Sequence, residues 1–129
     1  VPFVRIDALR ADEDQLDALG RAVHEALVET LGIPSDDHFQ VLVSHDGVTS
    51  TLRYDNYLGV PRDEGIVYIA ITLRSGRTQE RKRALYRRIA ELAHEYAGTE
   101  PRNVFVTLTE NEPADWSLGH GLAQYLDSP

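Results

Sequence analysis

At 129 residues, 42% hydrophobic and 26% charged, the chain suits one soluble globular domain over 1–129 and is short for two. A formal charge of −8 argues against nonspecific nucleic-acid binding, and no apolar run approaches the roughly 20 residues of a membrane span. With no cysteine, disulfides, thiolate catalysis and cysteine-bound metals are excluded; the first 30 residues lack an apolar h-region, and a cytoplasmic protein is expected.

Pro2-Phe-Val-Arg-Ile-Asp7 reads as a strand, with only Val1 in front of it. A proline heading a mature chain is a secondary amine able to act as acid, base or Schiff-base partner, whereas Val1 makes it a tertiary amide. A first-place valine is also the literal translation of a GTG start codon, which would leave Pro2 first after processing. Proline at the start of a strand is equally an ordinary structural choice. Residues 12–31 place Leu16, Leu19, Val23, Ala26, Leu27 and Leu31 at helical spacing, with Asp12 as N-cap and Gly32 and Pro34 as stop. Phe39–Val43 is the next strand, and a turn-rich loop covers 45–64. Residues 66–73 form a near-continuous apolar run, the pattern of a buried strand. A second helix over 78–97 turns Leu85, Ile89, Leu92, Ala93 and Tyr96 inward, Gly98 and Pro101 end it, and Asn103–Glu110 is a last strand.

The halves superpose at an offset of 66: Gly32 falls on Gly98, Phe39 on Phe105, Leu19 on Leu85, Val23 on Ile89 and Ala26 on Leu92. Residues 2–46 and 66–112 therefore read as two tandem βαβ units, an α/β (α+β) fold. Crossover helices make the strands within each unit parallel. The expected architecture is a four-stranded sheet with both helices on one face. The other face, rich in valine and isoleucine, is expected to pack against further copies in a symmetric homo-oligomer.

Arg74-Ser-Gly-Arg77 lies between the buried strand and the second helix, where helix-start amides and two guanidinium groups would suit a carboxylate. A plain Ser-Gly turn flanked by surface arginines fits the same residues. Ser35-Asp36-Asp37 is a turn former by composition; near Arg74 or Arg77, Asp37 could orient or deprotonate water. No histidine pair has metal-ligand spacing, so no metal is assigned. Trp116, the only tryptophan, and Leu118 sit among glycines and polar residues, where they wall a pocket or fill a subunit contact.

Pro-Phe-Val-Arg-Ile-Asp at the start, Gly-Ile-Pro-Ser-Asp-Asp-His-Phe-Gln at 32–40, Arg-Ser-Gly-Arg-Thr at 74–78 and Glu-Asn-Glu-Pro-Ala-Asp-Trp-Ser-Leu-Gly at 110–119 resemble the tautomerase superfamily. Within it, the resemblance is to malonate semialdehyde decarboxylases. It implies homotrimers of two-βαβ subunits with no cofactor and a small carboxylate substrate. Pro2 then matches the terminal proline, Asp37 the water-handling aspartate, Arg74 and Arg77 the carboxylate-binding pair, and Trp116 and Leu118 an apolar wall. Val1 departs from the pattern. The arginine spacing is more similar to that of cis-3-chloroacrylic acid dehalogenases. The implied activity is conversion of 3-oxopropanoate to acetaldehyde and carbon dioxide, with hydratase activity beside it. Tautomerization of 2-oxo or enol acids such as phenylpyruvate, or dehalogenation and hydration of cis-3-chloroacrylate, is the alternative. A binding protein without catalysis is the reading if Val1 stays.

Overall fold

The computed structural model describes residues 1–49 and 52–127. In chain order the main elements are β1 (Phe3–Leu9), α1 (Glu13–Leu31), β2 (Phe39–His45), β3 (Val67–Arg74), α2 (Gln79–Ala97), β4 (Val104–Asn111) and a one-turn α3 (Gln124–Asp127). The strands form one sheet in the order β2-β1-β3-β4. β1 and β2 are parallel, as are β3 and β4, while β1 and β3 run antiparallel at the centre. Both βαβ units expected from the sequence are present.

Capping chemistry sets the helix ends. Asp12 accepts from the Gln15 amide at 2.8 Å, and the Thr78 hydroxyl accepts from the Arg81 amide at 3.2 Å. Gly32 (φ 68°) and Gly98 (φ 70°) take the left-handed conformation that closes each helix at little steric cost. Leu19, Val23, Ala26 and Leu27 of α1 and Leu85, Ile89, Leu92 and Ala93 of α2 are buried against Val4, Ile6 and Ala8 of β1 and Val67, Ile69, Ile71 and Leu73 of β3. Each large apolar side chain buried this way contributes about 1.5–3 kcal/mol before conformational entropy is set against it.

Strand alternation sends the other side chains to the far face. There Phe3, Phe39, Val41 and Phe105 remain exposed. They flank a polar group in which Arg5 donates to Asp7 at 3.0 Å and His45 Nε2 lies 2.8 Å from Asp7 Oδ1. The open face is thus part aromatic and part charged, and the isoleucines of β3 lie on the helix side. Burial works to raise the Asp7 carboxyl, but hydrogen bonds from Arg5 and His45, aided by their charges, hold it below its usual range.

The internal repeat needs one correction. Phe3 pairs with Phe39 and Tyr68 with Phe105, so the first strands are related by an offset of 65. From the helices onward the offset is 66, because α1 and α2 start at Glu13 and Gln79. The extra residue falls between β3 and α2. Two residues, Arg10 and Ala11, link Leu9 to the cap Asp12; three, Ser75, Gly76 and Arg77, link Arg74 to the cap Thr78. The bridging hydrogen bonds agree: Arg10 N–H donates to His45 O in one half and Ser75 N–H to Asn111 O in the other.

Candidate active site

The inserted residue enlarges the turn that carries the arginines. Gly76 supplies φ 117°, which a side chain would resist, and lets the chain double back before α2. Arg77 then folds over the turn and donates to the Arg74 carbonyl at 2.7 Å. Around it lies a polar hollow lined by Arg74, Ser75, Gly76, Arg77, Arg81 and Glu112. The Ser75 hydroxyl donates to Glu112 at 2.8 Å, which ties the turn to the segment after β4.

The start of β1 reaches the same end of the sheet. Pro2 is buried. The terminal ammonium, carried here by Val1, lies 3.8 Å from Asp37 Oδ2 and donates to the Tyr125 hydroxyl at 2.5 Å. Burial is the largest influence on this amine and lowers its pKa; Asp37 pulls it up, and Arg74 and Arg77 push it down, leaving it below the usual value. Asp37 is presented by a tight turn whose amide donates to the Pro34 carbonyl at 3.1 Å. Two buried polar atoms, Asp37 Oδ1 and Arg74 Nε, have no hydrogen-bond partner among the described residues. A free acceptor and a free donor flanking one amine are what a polar ligand or water would satisfy.

Beside the amine opens an apolar cleft of about 480 Å³, lined by Val1, Phe3, His38, Phe39, Gln40, Trp116, Ser117 and Leu118. Trp116 is fixed by a hydrogen bond from its indole N–H to Asn111 Oδ1 at 2.7 Å. The Leu118 amide donates to Gln124 Oε1 at 2.8 Å, so α3 holds the Leu118 loop. All six residues singled out in the sequence, Pro2, Asp37, Arg74, Arg77, Trp116 and Leu118, therefore lie around one end of the sheet.

Sequence reasoning missed Tyr125 and His38. Tyr125 follows a stretch without helical or strand periodicity, so nothing marked it. His38 stacks on His24 with ring centroids 4.1 Å apart, and His24 Nε2 meets the Ser35 carbonyl at 2.8 Å, which braces the Asp37 turn against α1. The adjacency of His38 to Asp37 was the available signal. Among the described residues, no three His, Asp or Glu side chains cluster as metal ligands.

A second concavity, of about 500 Å³, is lined by Arg53, Tyr54, Asp55, Tyr57, Arg62, Tyr68 and Phe105. It is the repeat counterpart of the apolar cleft, with Tyr68 in the place of Phe3 and Phe105 in that of Phe39. There Val67, the first residue of β3, stands where Pro2 does, and its nitrogen is a peptide amide in mid-chain. Asn103 replaces Asp37 and is occupied by Asp63, to which it donates at 2.8 Å. Among the described residues, one end of the pseudo-symmetric sheet alone combines an amine, a carboxylate oxygen without a hydrogen-bond partner and paired guanidinium groups.

The tandem βαβ sheet is of the tautomerase type, and at one end it carries a terminal amine, a carboxylate and two arginines. The chain belongs to the tautomerase enzyme family, whose models match residues 37–119 and 2–60. It is 39% identical over 98% of its length to all of the probable tautomerase YusQ of Bacillus subtilis (strain 168), and 32% identical over 98% of its length to 97% of YrdN of the same organism, also a probable tautomerase. Among solved structures it is similar to a malonate semialdehyde decarboxylase inhibited by 3-bromopropiolate (TM-score 0.87, 39% identity, covering 97% of this chain and 95% of that one). A malonate semialdehyde decarboxylase with decarboxylase and hydratase activities matches with TM-score 0.85 and 31% identity, covering 97% of this chain and 96% of that one. A fused 4-OT symmetric trimer shares the fold, with TM-score 0.79 at 19% identity over 98% of this chain and 99% of that one.

Proposed function

We propose that this protein is a cofactor-independent decarboxylase of a short 3-oxo acid, with malonate semialdehyde (3-oxopropanoate) as substrate, acting through the Pro2 amine after Val1 is removed. The observation that carries the reading is the convergence of the terminal amine, Asp37 and the Arg74–Arg77 turn beside two buried polar atoms without partners. The arginines hold the substrate carboxylate. The protonated amine donates to the aldehyde oxygen. Alternatively the neutral amine condenses with the aldehyde, losing water to form an iminium; the same bond cleavage then gives an enamine whose protonated form is hydrolysed to release the aldehyde and the amine. The C1–C2 bond breaks, carbon dioxide leaves, and the electron pair becomes the C2–C3 double bond of an enol. A proton added at C2 yields acetaldehyde. Asp37 activates water in the companion hydratase reaction, where water adds to an unsaturated acid and the amine supplies the proton.

A homotrimer is part of the proposal. The exposed Phe3, Phe39, Val41 and Phe105 on the open sheet face support it, as does the assembly of the fused 4-OT relative. A second reading, tautomerization of aryl 2-oxo acids with Pro2 as base, draws support from the apolar cleft of about 480 Å³, roomier than a three-carbon acid needs. The two probable tautomerases point the same way.

The test is proton NMR of 3-oxopropanoate with protein beginning at Pro2, beside its Pro2→Ala variant. Acetaldehyde formed only by the former supports an amine-dependent decarboxylase. No acetaldehyde, with turnover of phenylpyruvate enol, would replace it by the tautomerase. Intact mass of protein from its native host decides between catalyst and binding protein, since retained Val1 would favour the latter.

A further inference from the structure

Tyr125 touches three members of the candidate site at once. Its hydroxyl lies 2.5 Å from the terminal nitrogen. Arg74 Cζ stands 4.5 Å above the ring centroid, and Trp116 meets the ring edge-on with centroids 6.4 Å apart at 88°. The supporting turn is held from both sides, because Gln124 accepts from the Leu118 amide and donates to the Gly119 carbonyl, each at 2.8 Å.

We propose that Tyr125 is a positioning residue: its hydroxyl aims the N–H bonds of the terminal amine, and its ring face holds the Arg74 guanidinium at a set distance from that amine. The proposal rests on the amine being the reacting group, as read above. Asp37 is the other polar partner of the amine, but at 3.8 Å it acts through charge and makes no hydrogen bond. The hydroxyl is therefore the group that gives the amine a direction. Once Val1 is gone, the terminal nitrogen is that of Pro2, one residue further in and about 3.5 Å along the chain, and the proposal requires the terminus to close that gap to the same hydroxyl. A proline ammonium has two N–H bonds. One given to Tyr125 leaves one for the substrate carbonyl. A hydroxyl can also donate to the neutral amine, so Tyr125 serves either protonation state.

The charged and titratable groups facing the amine are Asp37 from the turn before β2, Arg74 from the end of β3, Arg77 from the turn before α2 and Tyr125 from α3. An oxygen that accepts from the ammonium favours its charged form. The charge-assisted bond from the ammonium is the stronger of the two, so removing the hydroxyl moves the amine titration to lower pH. The sign is independent of the reaction: a limb that falls with loss of the ammonium and a limb that rises with the free amine both shift downward.

The experiment compares wild type, Tyr125→Phe and Tyr125→Leu in the full chain and in the chain beginning at Pro2. A nitrogen-15 NMR titration of the terminal nitrogen reads the amine without requiring turnover. The expected result for Tyr125→Phe is titration at lower pH, with kcat down about tenfold and KM little changed, since the ring still faces Arg74. Tyr125→Leu adds a rise in KM of about threefold, the loss expected for a partly exposed cation–π contact. Coincident titration curves for wild type and Tyr125→Phe would overturn the proposal, as would equal KM values for the Phe and Leu variants. If wild type turns over no substrate, the functional reading fails while the titration still decides the role of the hydroxyl. The Phe variant preserves the ring, so the test survives a Leu variant that does not fold.

Discussion

Arg74→Ala separates site from scaffold most sharply. Under the proposed function this arginine gives the substrate carboxylate two charge-assisted hydrogen bonds, each about 1.5–3 kcal/mol. Arg77 and water replace part of that, leaving a loss of about 3 kcal/mol, or roughly 150-fold in kcat/KM. Stability should barely move. Arg74 Nε is buried without a hydrogen-bond partner among the described residues, a cost of about 1–3 kcal/mol that the truncation removes. The stacking on Tyr125, worth about 0.5–2 kcal/mol, is lost in exchange. The amine responds as well. Burial is the main cause of its lowered pKa and Asp37 opposes it, but Arg74 pushes in the same direction as burial. Without Arg74 the amine titrates at higher pH, and the limb of the pH–rate profile set by the amine moves upward, opposite to Tyr125→Phe. The assay is steady-state kinetics across pH with thermal melts alongside. A kcat/KM within threefold of wild type, or an unmoved limb, would refute the assignment of Arg74 to the substrate carboxylate. A collapse of Tm would instead make the residue structural.

Gly76→Ala should cost about 1–3 kcal/mol, measured by the urea midpoint, because φ 117° strains any side chain. An added Cβ meets no atom within 4 Å, so the cost is conformational. Relaxation of the turn displaces Arg77, and kcat/KM is expected to fall about tenfold; unchanged kinetics would detach the turn from the site. Asp7→Asn tests the polar group on the open face. The Asp7 carboxyl is held below its ordinary value, so its contribution to stability is complete above about pH 4 and is lost as pH falls through the folded-state pKa. Wild type should thus lose stability on acidification more steeply than Asp7→Asn, and parallel urea midpoints between pH 2 and 5 would count against the Arg5–Asp7–His45 group. Val41→Asp places a charge on an exposed position of the open face. If the protein is the proposed trimer, sedimentation is expected to change from trimer to monomer without loss of helical circular dichroism, and a variant that sediments like wild type would move the interface elsewhere.

The fold was legible because its strongest signals are local. Asp12, Gly32, Thr78 and Gly98 mark helix ends through their own backbone and capping chemistry, and the apolar spacing within α1 and α2 fixes which face is buried. The turn conformations of Arg74–Arg77 and Pro34–Asp37 are also local, so their candidate chemistry could be read in place. Tyr125 could not be. Its importance comes from contact with a nitrogen 124 positions away, and no periodic pattern surrounds it. The split of the apolar run in β3 into a core face and an open face also escaped simple hydropathy, because Tyr68, Ala70 and Thr72 are apolar enough to mask the alternation.

The repeat itself explains why one end of this sheet is chemically equipped and the other is not. At the equipped end the terminal nitrogen ahead of β1 lies 3.8 Å from Asp37 Oδ2. At the opposite end the matching position is Val67, whose nitrogen is a peptide amide at the first residue of β3, and Asn103 closes on Asp63 with an amide–carboxylate hydrogen bond at 2.8 Å. The single residue added between β3 and the Thr78 cap has no counterpart between β1 and Asp12. That addition is what gives Arg77 room to fold over Arg74, whose carbonyl it bonds at 2.7 Å. Paired guanidinium groups face the amine because the two halves differ in length at this turn, and shortening 75–77 by one residue should restore the symmetry while removing the proposed carboxylate clamp.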